Sequence, residues 1–313
     1  VPSQPFLFPP ARENVYAFNS MRTKAEKRIA YLDNKKEVAM DYKTLTQQQN
    51  DAVLTITVNR PEALNAQSRL MLEEFDHALA AAAEEESVKV IIVAGAGKHF
   101  SAGHDIGSPQ EREDWKKRSC PPGMPGEYKR GRDLYLDNTM RWRDCPKPTI
   151  AQVQGYCIMG GLMLASACDL IIASDDAKFC DRTVRWAGAH VQYASLAWDI
   201  GFRKAKQYLF TGDWITAQEA ERLGLVNQVV PRDQLAAETM QLAQRIAMQD
   251  AYALRIAKFS MNQMQDEAGF RTGVTGAFQS YALTRMYRLE KGEDTFAGSK
   301  RAKERDEAFG DNR

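Results

Sequence analysis

Lys147–Asp169, K-P-T-I-A-Q-V-Q-G-Y-C-I-M-G-G-L-M-L-A-S-A-C-D, is the stretch on which the reading of the fold turns. Its first part, Thr149 to Val153, is apolar and rich in β-branched residues, the composition of a buried strand. The strand ends at Gly155, and Met159-Gly160-Gly161 opens a short helix, Leu162 to Cys168. Two glycines at a strand-to-helix turn let another backbone approach closely, and a helix start leaves N–H groups without intrahelical acceptors. Such a turn is a donor site for an oxyanion or a phosphate. On a plainer reading, Gly160 and Gly161 only let helix and strand pack tightly. The stretch alone does not separate the two.

Upstream, Val53 to Val58 alternates as a strand, and Arg60-Pro61-Glu62-Ala63-Leu64-Asn65-Ala66 forms a loop into a helix. Met71, Phe75, Leu79 and Ala82 recur at helical spacing, so one face of that helix is expected to be buried. Val88 to Ala94 reads as a continuous buried strand, followed by a loop, Gly95 to Ile106, in which small residues flank Phe100. Residues 107–146 begin polar and proline-bearing. A helix is then predicted from about Glu127 to Arg143, with Tyr128, Tyr135, Thr139 and Trp142 near one face. That segment reads as a lid over an apolar pocket or as a surface helix packed by its aromatics.

Downstream, Leu170 to Ala173 is another strand, and Phe202 to Phe210 and Thr216 to Leu223 are predicted helices. Thr216 with Glu219 three residues on reads as a capping box. A short strand is expected at Leu225 to Val230, then a long helix capped by Asp233 and further helices to about 309. One of these carries Phe270, Val274, Phe278 and Tyr281 on one side. The pattern is α/β first and all helix after. The expected division is an arm over 1–41, a core over 42–232 and a helical region over 233–313. The arm is broken by Pro2, Pro5, Pro9 and Pro10 and holds a predicted helix from about Ser20 to Tyr31.

Composition narrows the class. With 313 residues, 44% of them hydrophobic, the chain can fill a sizeable core. Its 42 basic and 41 acidic residues leave a net charge of +1, which points to neither nucleic acid nor a membrane surface. Five cysteines, an odd number without C-x-x-C spacing, suggest reduced thiols in a cytoplasmic setting. Glu13, Glu26 and Glu37 argue against a transit peptide. No apolar run approaches the ~18 residues of a membrane span. His77, His99, His104 and His190 lack metal-ligand spacing, so no metal site is expected.

Four pieces, in order, make a family pattern: Asn59 to Ala66; Phe100-Ser101-Ala102-Gly103-His104-Asp105-Ile106; Lys147 to Asp169; and Thr216-Ala217-Gln218-Glu219-Ala220 leading to Leu223-Gly224-Leu225-Val226. Together they resemble the crotonase (enoyl-CoA hydratase/isomerase) superfamily over roughly residues 42–309. The resemblance implies a spiral of ββα turns followed by C-terminal helices used in oligomerisation, as a homotrimer or a dimer of trimers. It implies an acyl-CoA thioester substrate, with CoA part of that substrate and no permanently bound cofactor. The thioester oxygen would sit between the backbone N–H groups of His104 and Gly160. The imidazole of His104 need take no part. CoA would lie along Ala63, Leu64, Ala66, Ala102, Asp105 and Ile106, with Lys98 and Lys300 as phosphate contacts.

The chain departs from the pattern at the acid/base positions. Hydratases of this family use two glutamates, and here Met163 and Thr183 stand in their places. Neither transfers a proton at neutral pH, and a general acid or base contributes about 10²–10⁴ in rate. Asp181, two residues before Thr183 on the same strand end and so expected on the same face, and His190 in the next turn are the candidate replacements. Tyr193, Tyr128 and Tyr135 are further possible donors. Asp181 pairing with Arg182 or Arg185, and His190 as a structural turn residue, are the plainer alternatives. The outcomes left open are hydration, double-bond isomerisation, C–C or thioester hydrolysis, and CoA binding without turnover. An RNA-binding relative finds little support in the charge.

Overall fold

The computed structural model describes residues 41–118, 120–292 and 304. The helix expected at Ser20 to Tyr31 and the Lys300 contact lie outside them. By internal contacts the chain divides into Val1–Asp41 and Tyr42–Arg313, and every element below belongs to the second unit.

Six strands form the main sheet: β1 (Leu45–Asn50), β2 (Val53–Val58), β3 (Val90–Gly95), β4 (Thr149–Val153), β6 (Leu170–Ser174) and β9 (Gln228–Val230), in the order β1-β2-β3-β4-β6-β9. β1 runs antiparallel to β2 and the other neighbouring pairs are parallel. All six residues of β3 are buried, which is why V-I-I-V-A-G reads as an unbroken apolar run: a central parallel strand is covered on both faces. β1, L-T-Q-Q-Q-N, is absent from the strands expected of the sequence. Only Leu45 is buried, and this polar edge strand carries no alternating apolar signal. A smaller sheet joins β5 (Tyr156–Ile158), β7 (Lys178–Cys180) and β8 (Ile215–Thr216) in the order β5-β7-β8.

Two apolar layers cover the main sheet. On one face Met71, Phe75, Ala78 and Leu79 of α1 (Arg69–Glu84) pack with Ile56, Ile91 and Val93. On the other, Leu235 and Ala243 of a helix at Leu235–Ala247 pack on Val53, Val90, Ile92, Ile150 and Ile172. Each such buried aliphatic side chain contributes about 1.5–3 kcal/mol. The first of the late helices is thus part of the main core. Asp233 does not cap it. Asp233 sits in a short 3-10 turn, Arg232–Gln234, and the cap position, Gln234, makes no side-chain capping bond. Thr216 does cap the helix Ala217–Leu223, its hydroxyl accepting from Glu219 N–H.

Residues 107–146 hold a helix at Pro109–Lys117 and a longer helical run, Met124–Gly131 and Asp137–Arg143, joined without a break by a π-turn at Arg132–Leu136. The extra residue in a π-turn rotates the downstream helical turns about the helix axis, and such turns concentrate at functional sites. Here the turn sets Tyr135 on the buried side. The C-terminal helix Phe270–Glu290 buries Phe270, Val274 and Phe278, the face expected of it. Among the described residues no helix is long and apolar enough to cross a membrane.

Candidate active site

Strand β5 is what brings two separate loops together. Phe100 N–H donates to Gln154 O at 2.8 Å, Ser101 N–H to Tyr156 O at 2.9 Å, and Ile158 N–H to Ser101 O at 3.0 Å. These bonds dock the 100–106 loop along the turn that opens the helix Gly160–Ser166. The approach is close enough to demand glycine. At φ +91°, a Cβ on Gly103 would lie 2.8 Å from Ile158 O and 3.2 Å from Gly160 N. A Cβ on Gly160 would lie 2.6 Å from both Gln67 Oε1 and His104 Cδ2. A side chain at Gly103 would meet backbone and drive the loops apart, and one at Gly160 would displace the side chains of Gln67 and His104.

The same docking fixes which amides stay unused. Gln67 pairs with His104 as an isolated parallel bridge: Gln67 N–H donates to Gly103 O at 2.8 Å and Asp105 N–H to Gln67 O at 3.0 Å. That pattern engages the residues flanking His104 and turns the N–H of His104 away from Gln67. Gly160 N–H stands at the first position of its helix, where no intrahelical acceptor exists. Among the described residues neither N–H donates to an acceptor of the chain. Gln67 Nε2 donates to Gly160 O at 2.9 Å and so orients the peptide beyond it.

The imidazole of His104 stacks on Tyr135 at 4.0 Å between ring centroids, and its Nε2 is buried without a partner. Burial, and after it the nearby Arg130 cation, push its pKa down to about 3. The ring is therefore neutral near pH 7. Burial likewise pushes Tyr135 up to about 12, against the pull of Arg130.

Beside these groups opens a cavity of about 590 Å³, with Ala63, Ala66, Ala102, His104, Asp105 and Ile106 in its wall, together with Met159, Thr183 and His190. Gly160, next after Met159 in the chain, is not itself among the residues of the wall. Leu64 does not line the cavity. It is 45% exposed, with φ +52°, and its carbonyl accepts from Ala102 N–H at 2.9 Å, so it shapes the loop. Asp105 is a structural anchor as well as a wall. Burial works to raise its pKa, but hydrogen bonds from Ser108 and Arg60 outweigh it and hold the carboxyl below the usual carboxylate range. Lys98 is exposed and outside the cavity wall.

The acid/base side differs from expectation. Strand β7 stops at Cys180, and Thr183 begins a 3-10 turn, so Asp181 and Thr183 do not alternate along a strand. Instead Asp181 reaches across to the start of that turn: its Oδ1 accepts from Thr183 N–H at 2.9 Å and from Thr183 Oγ1 at 2.5 Å, and its Oδ2 accepts from Val191 N–H at 2.9 Å. The carboxylate is buried and engaged on both oxygens. Met163 is core, 2% exposed. It borders a second, apolar cavity of about 260 Å³, which shares His190 and Val191 with the first.

His190 stands where the two cavities meet. Its Nδ1 lies 2.7 Å from Val191 O. A carbonyl only accepts, so Nδ1 carries the proton and the lone pair resides on Nε2. Tyr193 is fully buried with its hydroxyl unpartnered in the second cavity, and Tyr128 accepts from Gln279 Nε2 at 3.0 Å away from both cavities.

Sequence reasoning passes over two residues of this region. Gln67 lies one position past the quoted Ala63–Ala66 loop, and only the fold brings it to Gly160. Arg130 sits in K-R-G-R, Lys129–Arg132, a basic run that carries no local signal of a site. In the fold its side chain is 11% exposed, laid over the Trp115 ring at 3.9 Å.

Comparison with known proteins places the chain in a family. The family described as enoyl-CoA hydratase/isomerase matches residues 48–303. A Mycobacterium tuberculosis protein provisionally named an enoyl-CoA hydratase is 40% identical over 250 residues, 75% of this chain and 78% of that protein. A crystal structure from Mycobacterium smegmatis, provisionally assigned as an enoyl-CoA hydratase, is 44% identical with a TM-score of 0.74, covering 80% of this chain and 97% of that one. A crystallised enoyl-CoA hydratase/isomerase from Xanthobacter autotrophicus is 30% identical, also at 0.74, covering 84% and 98%. The chain belongs to the enoyl-CoA hydratase/isomerase family of the crotonase superfamily, and its fold is the crotonase fold.

Proposed function

We propose that the protein forms enolates from acyl-CoA thioesters, holding the thioester oxygen with the backbone N–H groups of His104 and Gly160 and moving the proton with His190. The observation that carries this reading is the contact between Gly103 and Gly160, which draws two otherwise unused amides to one turn. Preorganised donors stabilise negative charge as it develops and cost no reorganisation at the moment of reaction. CoA lies along the Ala63–Ala66 and Ala102–Ile106 walls.

Of the open outcomes, a proton shift of the isomerase type fits best. Met163 is apolar, Asp181 lines the second cavity but is committed to three donors, and Asp105 is held by Ser108 and Arg60, so among the described residues of the two walls no free carboxylate faces the site to activate a water. A single imidazole that takes a proton at one carbon and returns it at another needs no such water. Tyr252, Ile256 and Phe259, on one stripe of the helix Ala251–Glu267, are 71%, 44% and 62% exposed. A stripe of that kind supports self-association through the late helices, as a trimer or a dimer of trimers.

The test is incubation with α,β- and β,γ-unsaturated acyl-CoAs, followed by mass spectrometry and absorbance. The reading expects double-bond movement at constant mass. Addition of one water, with no isomer formed, would replace it with hydration.

A further inference from the structure

Arg130 bears on what the acyl group is, given the CoA-thioester reading. We propose that the substrate's acyl chain ends in a carboxylate that pairs with Arg130, so that the substrate class is the short, carboxylate-terminated acyl-CoA.

Three observations support it. Arg130 is buried to 11% side-chain exposure, in the wall of the larger cavity, and its Nε is enclosed without a partner. Its nearest carboxylate, Glu127, is 3.6 Å from Nη2, too long for a hydrogen bond, and the same Glu127 Oε2 accepts from Arg285 Nε at 3.1 Å. Two guanidinium groups of one cavity thus share one carboxylate. Glu111, also buried and near Arg130, already accepts from Arg69 N–H at 3.0 Å, and burial raises its pKa. Asp105, the acid among the described residues of the wall, is paired with Arg60. A buried guanidinium left short of hydrogen bonds is costly unless an anion completes it, and its planar fork matches a carboxylate.

Position separates this anion from the phosphates of CoA. The Arg130 guanidinium lies 5.8 Å from the centre of the Tyr135 ring, which stacks on His104. Arg130 therefore serves the thioester end, within reach of a short acyl chain. Exposed Arg112 and half-exposed Arg288, in the same wall, stand nearer to solvent and suit the nucleotide end.

The experiment is calorimetric binding of matched pairs: succinyl-CoA against butyryl-CoA, and glutaryl-CoA against pentanoyl-CoA. Both members of a pair carry the same CoA, so its phosphates cancel. In at least one pair the unaltered protein should bind the carboxylated thioester about tenfold or more tighter, the gain of a charge-assisted hydrogen bond. Arg130→Gln should remove that preference while binding the neutral thioester within about twofold, and Arg130→Lys should restore part of it. Equal affinity within every pair overturns the inference and leaves the CoA reading intact. A preference that survives Arg130→Gln, or a variant that loses both members equally, also overturns it. Binding of neither member by the unaltered protein overturns both readings.

Discussion

The two sides of the cavity are built from different materials. On the His104–Gly160 side the groups proposed to hold the substrate oxygen are peptide amides, set by strand pairing and by the close approach of Gly103 to Ile158 and Gly160. On the Met163–His190 side the proposed groups are side chains, and Met163 and Thr183 stand where the family resemblance leads one to expect glutamates. The contrast teaches that a backbone site constrains only shape. It can persist while the side chains opposite it are exchanged for a different proton chemistry.

The sharpest way to break the comparison is at His190. His190→Gln keeps much of the volume and removes the base, and should lower turnover of acyl-CoA by about 10²–10⁴ while leaving CoA-thioester affinity nearly unchanged. A loss confined to affinity would place the base elsewhere. On the amide side, Gly160→Pro removes a donor and should cost about 10²–10³ or more in rate. Thermal melting and thioester binding would show whether the variant keeps its fold.

Asp199, in the short helix Leu196–Ile200, has its pKa raised to about 7 by burial, against a hydrogen bond from Ser195 at 3.2 Å. In the unfolded chain the group ionises near 4. From about pH 4 to 7 the unfolded state releases its proton first, so this group's contribution to stability falls as pH rises through that window and levels off above it. Asp199→Asn should therefore raise Tm at pH 8 by the equivalent of a few kcal/mol and change little at pH 4. An equal effect at both pH values would contradict the burial argument.

Asp181→Asn leaves Val191 N–H without its carboxylate acceptor. It should cost about 1–3 kcal/mol of stability and fall well short of the ~10² rate loss of a missing general base. A loss as large as that of His190→Gln would make Asp181 a catalytic residue. Smallest in its effect on the isolated fold is the exposed stripe. Phe259→Asp should leave Tm of the monomer nearly unchanged and shift the assembly to smaller species in light scattering, if the late helices join copies as proposed.

The backbone side is legible in the sequence and the side-chain side only partly so. Glycines and a β-branched run report backbone requirements directly, so Gly103, Gly160 and strand β4 can be placed from local pattern. The roles of Asp181, Arg130 and Gln67 depend on partners distant in the chain or on a turn that local pattern mistakes for strand. Asp181 reads as a strand-face residue, and its carboxylate instead ties down the start of a 3-10 turn. Nothing local marks Arg130, whose burial depends on Trp115, fifteen residues away in the chain. β1 escapes notice because an edge strand of glutamines carries no apolar period.

Isotope-edited infrared spectroscopy of a bound acyl-CoA, labelled with ¹³C at the thioester carbonyl, tests the central claim most directly. Two amide donors converging on that oxygen should move its stretching band to lower frequency on binding, and Gly160→Pro should reverse much of the shift. A carbonyl band unmoved from its position in water would mean that the amides of His104 and Gly160 do not hold it.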